Sequence, residues 1–158
     1  MKSNIKFFKN NKSLAVDDFF QSVLYDKSVG YYNSKFPFGK NGDFITAPNI
    51  SNLFSEMIAV WIVSTWETFD KPKNINIVEL GPGDGSLTKV LLQVFEKFPK
   101  FDSCKKLYLY EKSSLMKKIQ KKKLKNKKTK WISNLRDIKK GPIIFFGNEF
   151  LDALPIKQ

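Results

Sequence analysis

Residues 75–88 read INIVELGPGDGSLT, and this stretch restricts the fold more than any other part of the chain. An apolar run, Ile75–Leu80, carries Glu79 near its end and is followed by Gly81, Gly83 and Gly85 at alternate positions. Ser86 and Leu87 then open a helical pattern that continues to Phe98. A strand that turns on glycines brings bare backbone close to whatever lies beyond its end, because a residue without Cβ reaches positive φ freely. Pro82 pre-sets φ inside the turn. The spacing is G-x-G-x-G, not the G-x-G-x-x-G of dinucleotide-binding enzymes.

The same alternation continues downstream. Leu107–Tyr110 reads as a strand, Ser113–Leu124 as a Lys-rich helix, Lys130–Ile132 as a short strand and Ile143–Phe146 as a strand after Gly141-Pro142. Strand and helix in strict alternation predict an α/β fold with a Rossmann-like parallel sheet. Upstream, Val16, Phe19, Phe20, Val23 and Leu24 fall at helical spacing over 14–25, with Ser13 as the expected N-cap. A second helix is expected over about 50–68, where Leu53, Phe54, Met57, Ile58, Trp61 and Ile62 form a broad apolar stripe. Between them, 26–49 reads as a long loop punctuated by Gly30, Pro37, Gly39, Gly42 and Pro48. Loops of that length inside a compact domain are usually functional or disordered, and five aromatics here argue for function. The expected division is therefore 1–72, helical with a covering loop, and 73–158, the beginning of the sheet domain.

Composition removes several classes of chemistry. The 158 residues contain no His, so Ser-His-Asp and Cys-His catalysis and the common zinc sites are excluded within the chain. Proton transfer falls to carboxylates, Lys or Tyr. A single cysteine, Cys104, allows no internal disulfide and agrees with a reducing cytoplasm. No apolar run approaches the ~20 residues of a membrane span, and the basic N-terminus carries neither an apolar h-region nor the Arg of a presequence. The net charge is +13, but of 28 basic residues only Arg136 is arginine. Recognition of phosphates and bases favours arginine forks, so the charge reads as compositional and nucleic acid as disfavoured.

In open parallel sheets ligands lie beyond the carboxyl ends of the strands. That rule selects Glu79 to Gly85, Glu111 after LYLY, and Asn148-Glu149 after IIFF. A carboxylate at Glu111 can accept both hydroxyls of a ribose; the alternative is a solvated charge at a strand end. Asp84 would repel a phosphate at the helix start yet tolerate a zwitterionic sulfonium. Asn148, Glu149 and Asp152 could hold a cationic acceptor such as guanidinium, although Asp152 equally suits a helix N-terminus. The run KKIQKKKLKNKKTK, 117–130, reads as a solvated helix face with Leu115, Ile119 and Leu124 as its thin apolar stripe.

With these residues in hand, the glycine turn and its acid resemble the first motif of class I S-adenosylmethionine (SAM)-dependent methyltransferases. Four ordered blocks extend the likeness to the MidA-like family: VGYYNSKFPFGKNGDFITAPNISNLFSEMIAVW, VELGPGDGSL, LYLYEKSS and GNEFLDALPIKQ. That family includes the mitochondrial complex I assembly factor that methylates a protein arginine. The resemblance implies that Glu79, Gly81, Gly83 and Gly85 frame the methionine end of SAM and that Glu111 holds its ribose. It also implies that the loop with Gly42, Asp43 and Thr46 closes over the cofactor, and that Asn148 and Glu149 face the acceptor. Asp84 stands where relatives commonly carry a basic residue. The partner that the resemblance implies is a protein acceptor of the kind found among respiratory complex I subunits, in a bacterial cytoplasm or a mitochondrion; a homo-oligomer is compatible with all of this.

The family's proteins continue beyond the NEFxDALP block. The expectation is thus a methyltransferase sheet short of its final strands, with an edge and apolar surface exposed, and a chain that is a portion of a longer protein or is completed by another. The rival functions are a non-catalytic assembly factor that keeps the fold, an NAD-type oxidoreductase, and an RNA methyltransferase using the Lys run.

Overall fold

The computed structural model describes residues 13–26, 28–34, 43, 46–125 and 128–157. These residues fall in two compact units, one formed by 1–35 with 151–158 and the other by 36–150.

In the smaller unit, α1 (Val16–Tyr25) and α2 (Tyr31–Ser34) are joined by stacked rings of Tyr25 and Tyr32, 5.7 Å apart. The Tyr25 hydroxyl donates to the carbonyl of Ala153, 2.6 Å away, in a 3₁₀ turn at Leu151–Ala153. Ser13 does not cap α1. Ala15 holds the N-cap position without a side-chain bond, and Asp17 and Asp18 supply the favourable negative charge in the first turn instead.

The larger unit begins with α3 (Ala47–Ile50) and α4 (Asn52–Thr68). These correct the single helix expected from 50: Ser51 is extended and caps α4 through a 3.1 Å bond from the Leu53 amide to its hydroxyl. Next come β1 (Ile75–Leu80), α5 (Ser86–Phe95), α6 (Pro99–Cys104), β2 (Lys105–Tyr110), α7 (Ser114–Leu124), β3 (Thr129–Ile132) and β4 (Ile143–Phe146). The strands form one parallel sheet in the order β3-β2-β1-β4, with Ile77 opposite both Leu107 and Ile144. The α/β, Rossmann-like expectation holds.

Two boundaries moved for identifiable reasons. The helix expected to reach Phe98 stops at Phe95, because Pro99 forces Phe98 out of the helical region and then opens α6. The segment PKFDSCKK adds to the core through Phe101. Phe101 is fully buried, with its ring edge-on to Phe95 at 4.9 Å and to Trp66 at 5.5 Å.

Side chains alternate across each strand, and this decides which groups meet the helices. Ile75, Ile77, Leu107, Leu109 and Ile144 share one buried cluster with Ile62, Leu91 and Phe95. Val78, Tyr108 and Ile132 form a smaller cluster apart from it. Glu79 has the parity of Ile75 and Ile77, and its partner Thr88 lies on α5. A buried Asn76 donates to the carbonyls of Lys139 and Pro142 and so ties the approach to β4 onto the central strand.

Candidate functional site

The carboxyl end of β1 is built around backbone that only a few residues tolerate. Gly81, Gly83 and Gly85 have φ of +62°, +52° and +81°. At Gly81 space adds to conformation: a Cβ there would lie 2.6 Å from Cδ2 of Phe150, so the ring and a side chain cannot share the place. The glycine is required by packing as well as by backbone conformation. Gly85 occupies the N-cap of α5 in the left-handed region, and Asp84 takes over the capping by accepting from the Ser86 amide at 2.9 Å.

A cleft of about 350 Å³, counting its open mouth, lies over this turn. Thr46, Pro48 and Asn49 line one side; Glu79, Gly81, Pro82, Gly83, Asp84 and Leu87 form the rest with Asn148. Thus Glu79, Gly81, Gly83, Thr46 and Asn148, selected from the sequence, meet at one place. Gly85 lies one turn behind them. Asp43 is exposed and does not line the cleft, and Gly42 lies outside the described residues.

Glu79 is 2% exposed. Burial pushes its pKa up to about 7; the Thr88 hydroxyl, which donates to its carboxylate, works against that rise, and the nearby charge of Asp84 adds to it. Asp84 itself is neutralised. Its second oxygen accepts from Lys123 on α7 and from the Ser86 hydroxyl, and that hydroxyl reaches Asn49, 3.2 Å away. Asn49 in turn donates to Thr46. A polar chain therefore runs from α7 through the glycine turn to the segment on the other side of the cleft. The expectation that Lys123 belongs to a solvated face is corrected: it answers the charge of Asp84.

Glu111 follows β2. Its carboxylate accepts from the Ser113 amide at 2.8 Å and from the Gln120 side-chain amide at 3.1 Å. Burial raises its pKa, and these bonds, with the Lys112 amide and the charge of Lys117, oppose the rise. The Gln120 amide also donates to the carbonyl of Gly83 at 2.8 Å, so Glu111 is linked to the glycine turn without lining the cleft itself.

At the end of β4, Asn148 reaches the cleft whereas Glu149 is exposed and does not line it. Glu149 has φ +54°, and the bond it accepts from Asn148 is long, at 3.4 Å. Asp152 belongs to the smaller unit.

Sequence reading missed Thr88, Lys123, Asn49 and Gln120. A signal existed for Gln120. The buried line of α7 is Met116, Gln120 and Leu124, an i, i+4, i+8 series, one position off the stripe expected through Leu115 and Ile119. Among the described residues no group of His, Cys, Asp or Glu has the arrangement of a metal site, and no helix is long and apolar enough to cross a membrane.

A parallel sheet with a glycine turn after its first strand and an acid after its second places the chain among open α/β proteins, whose ligands lie beyond the carboxyl ends of the strands. Comparison narrows the class. Residues 57–158 match the family model described as "Putative S-adenosyl-L-methionine-dependent methyltransferase", and the chain belongs to that family. It is 36% identical over 174 residues to the mitochondrial protein arginine methyltransferase NDUFAF7 of Xenopus laevis, and 30% identical over the same length to the human protein. Each alignment covers 95% of this chain and 40% of the relative, so the chain spans about two fifths of the length of these relatives. In fold it is similar to a COG1565 superfamily member from Burkholderia thailandensis crystallised with S-adenosyl-homocysteine. That match has a TM-score of 0.74 at 24% identity and covers 90% of this chain and 38% of the other.

Proposed function

We propose that this chain forms the SAM-binding part of a protein methyltransferase whose acceptor is an arginine side chain. The observation that carries the reading is the pairing of the glycine-turn cleft, with Glu79 at the end of its strand, with Glu111 held at the end of the next strand. The residues fit SAM chemically. The sulfonium and amino groups are cationic, and the cleft offers the Glu79 carboxyl with no lysine or arginine along its lining, Asp84 being already paired with Lys123. Glu111 accepts one bond on each oxygen from the groups named above. A carboxylate has about four acceptor sites, so capacity for a ribose diol remains.

In this reading Glu79 and the backbone of Gly81 and Gly83 hold the methionine end, Glu111 takes the ribose, and Thr46 with Asn49 covers the cofactor. When bound, SAM supplies an electrophilic methyl group on sulfur. The work of the protein is orientation and exclusion of water, which needs little acid–base chemistry and makes the absence of histidine immaterial. Asn148 is placed to position the acceptor from the β4 side. Glu149 is its neighbour for holding a guanidinium and taking the proton lost from nitrogen. The acceptor protein, by resemblance a respiratory complex I subunit, and a mitochondrial or bacterial cytoplasmic setting belong to the same proposal. The mitochondrial names of the relatives and the similarity over 95% of this chain support it.

Calorimetric titration of S-adenosylhomocysteine into this chain tests the reading. Micromolar binding is expected, weakened about a hundredfold or more in Glu111→Ala, since hydrogen bonds to a charged group are worth about 1.5–3 kcal/mol each. A folded chain that binds nothing would shift the function to a scaffold that keeps the fold alone.

A further inference from the structure

Gln120 is fully buried in a helix otherwise dominated by lysine, and such a residue needs a reason to be there. Its amide nitrogen donates to the Gly83 carbonyl at 2.8 Å and to Glu111 at 3.1 Å; its oxygen accepts from the Trp131 indole at 2.9 Å. One side chain therefore joins three elements: the turn after β1, the acid after β2 and the strand β3. Both amide hydrogens are committed, so neither the rotamer nor the O/N orientation of the group is free. Gly85 seats it from behind, with its α-carbon side 3.6 Å from Cγ of Gln120 where a Cβ would stand.

We propose that Gln120 is a positioning residue for the nucleoside diol, acting through Glu111. This rests on the cofactor reading above and adds the determinant of its ribose end. The Ser113 amide holds one Glu111 oxygen and Gln120 holds the other, so the plane of the carboxylate is fixed by two donors from different directions. A fixed carboxylate can meet two vicinal hydroxyls at once; a rotating one meets them one at a time and loses the advantage of the pair. The same amide sets the distance between Glu111 and the backbone of Gly83, which is the distance a single ligand must bridge. Trp131 secures the amide from the far side, and with its oxygen occupied the nitrogen has no alternative to facing Glu111 and Gly83.

The test separates this role from general stability. S-adenosylhomocysteine and its 2′,3′-dideoxy analogue are titrated into the unaltered chain and into Gln120→Leu, with thermal melts confirming folding. The unaltered chain is expected to favour the diol ligand about a hundredfold. In Gln120→Leu that preference should fall to about threefold, with affinity for the dideoxy analogue nearly unchanged. Equal weakening of both ligands, or an unaltered preference, overturns the proposal while leaving the cofactor reading intact. Binding of neither ligand by the folded, unaltered chain overturns both. If Gln120→Leu does not fold, the side-chain amide resonances of Gln120 in the unaltered chain decide. They should shift on saturation with S-adenosylhomocysteine and stay in place with the dideoxy analogue, and the absence of that difference overturns the proposal.

Discussion

The ends of β1 and β2 differ sharply from the end of β4. At the first, Glu79 and Gln120 are buried with identified partners, Asp84 is buried and paired, and Glu111 is held from two sides. At the second, Glu149 is exposed in a left-handed conformation and shares one long bond with Asn148. The difference teaches that the end proposed to hold the cofactor is organised by these residues themselves. The end of β4, proposed to face the acceptor, offers groups without fixing them. Under the proposed function, binding of SAM and recognition of an acceptor are therefore separable, and substitutions should divide along the same line.

The largest effect should come from Gly81→Ala. A methyl group 2.6 Å from Phe150 at φ +62° must displace the ring or the turn, which predicts a loss of about 2–4 kcal/mol in chemical denaturation and loss of S-adenosylhomocysteine binding. A stable Gly81→Ala that binds normally would show that the turn is not organised as described.

Glu79→Gln should act in the opposite direction on stability. The Glu79 carboxyl holds its proton to about pH 7 in the folded chain, against an ordinary value of 4.5. Between those pH values the folded state binds more protons than the unfolded one, so this group lowers stability as pH rises from 4.5 to 7 and its effect levels off above. The substitution should flatten that window relative to the unaltered chain. At pH 8 it should raise stability by on the order of 3 kcal/mol while weakening ligand binding. Parallel pH profiles for the two chains would contradict it.

The smallest effect belongs to the β4 end. Glu149→Gly removes a Cβ from φ +54° and should stabilise the chain by about 0.5–1 kcal/mol without altering S-adenosylhomocysteine affinity. A loss of cofactor affinity in that variant would erase the separation between the two ends.

Much of this was legible from residue order. The strand Ile75–Leu80 and the strand Ile143–Phe146 fall where the apolar runs placed them, although only the first is buried along its length and the second, at the sheet edge, buries Ile144 alone. The glycine turn was legible because its backbone demands are local. Ser13 shows the limit: a capping residue type stood in the right neighbourhood, yet the helix began at Val16. In α7 Leu124 is buried as expected but Leu115 and Ile119 were each one position off the buried line, because blocks of lysine blur the 3.6-residue period until a sheet is there to pack against.

Sequence by itself determined the alternation of strand and helix, the glycine turn, and the acids at the ends of β1 and β2. All of these are properties of contiguous residues. Tertiary structure alone decided how those acids behave. Burial carries Glu79 to a pKa of about 7 against the opposing bond from Thr88, Lys123 neutralises Asp84 from 39 positions away, and Gln120 joins Gly83 to Glu111 across three elements. Such pairings depend on strand order and helix rotation, and neither is encoded at any single position in the chain.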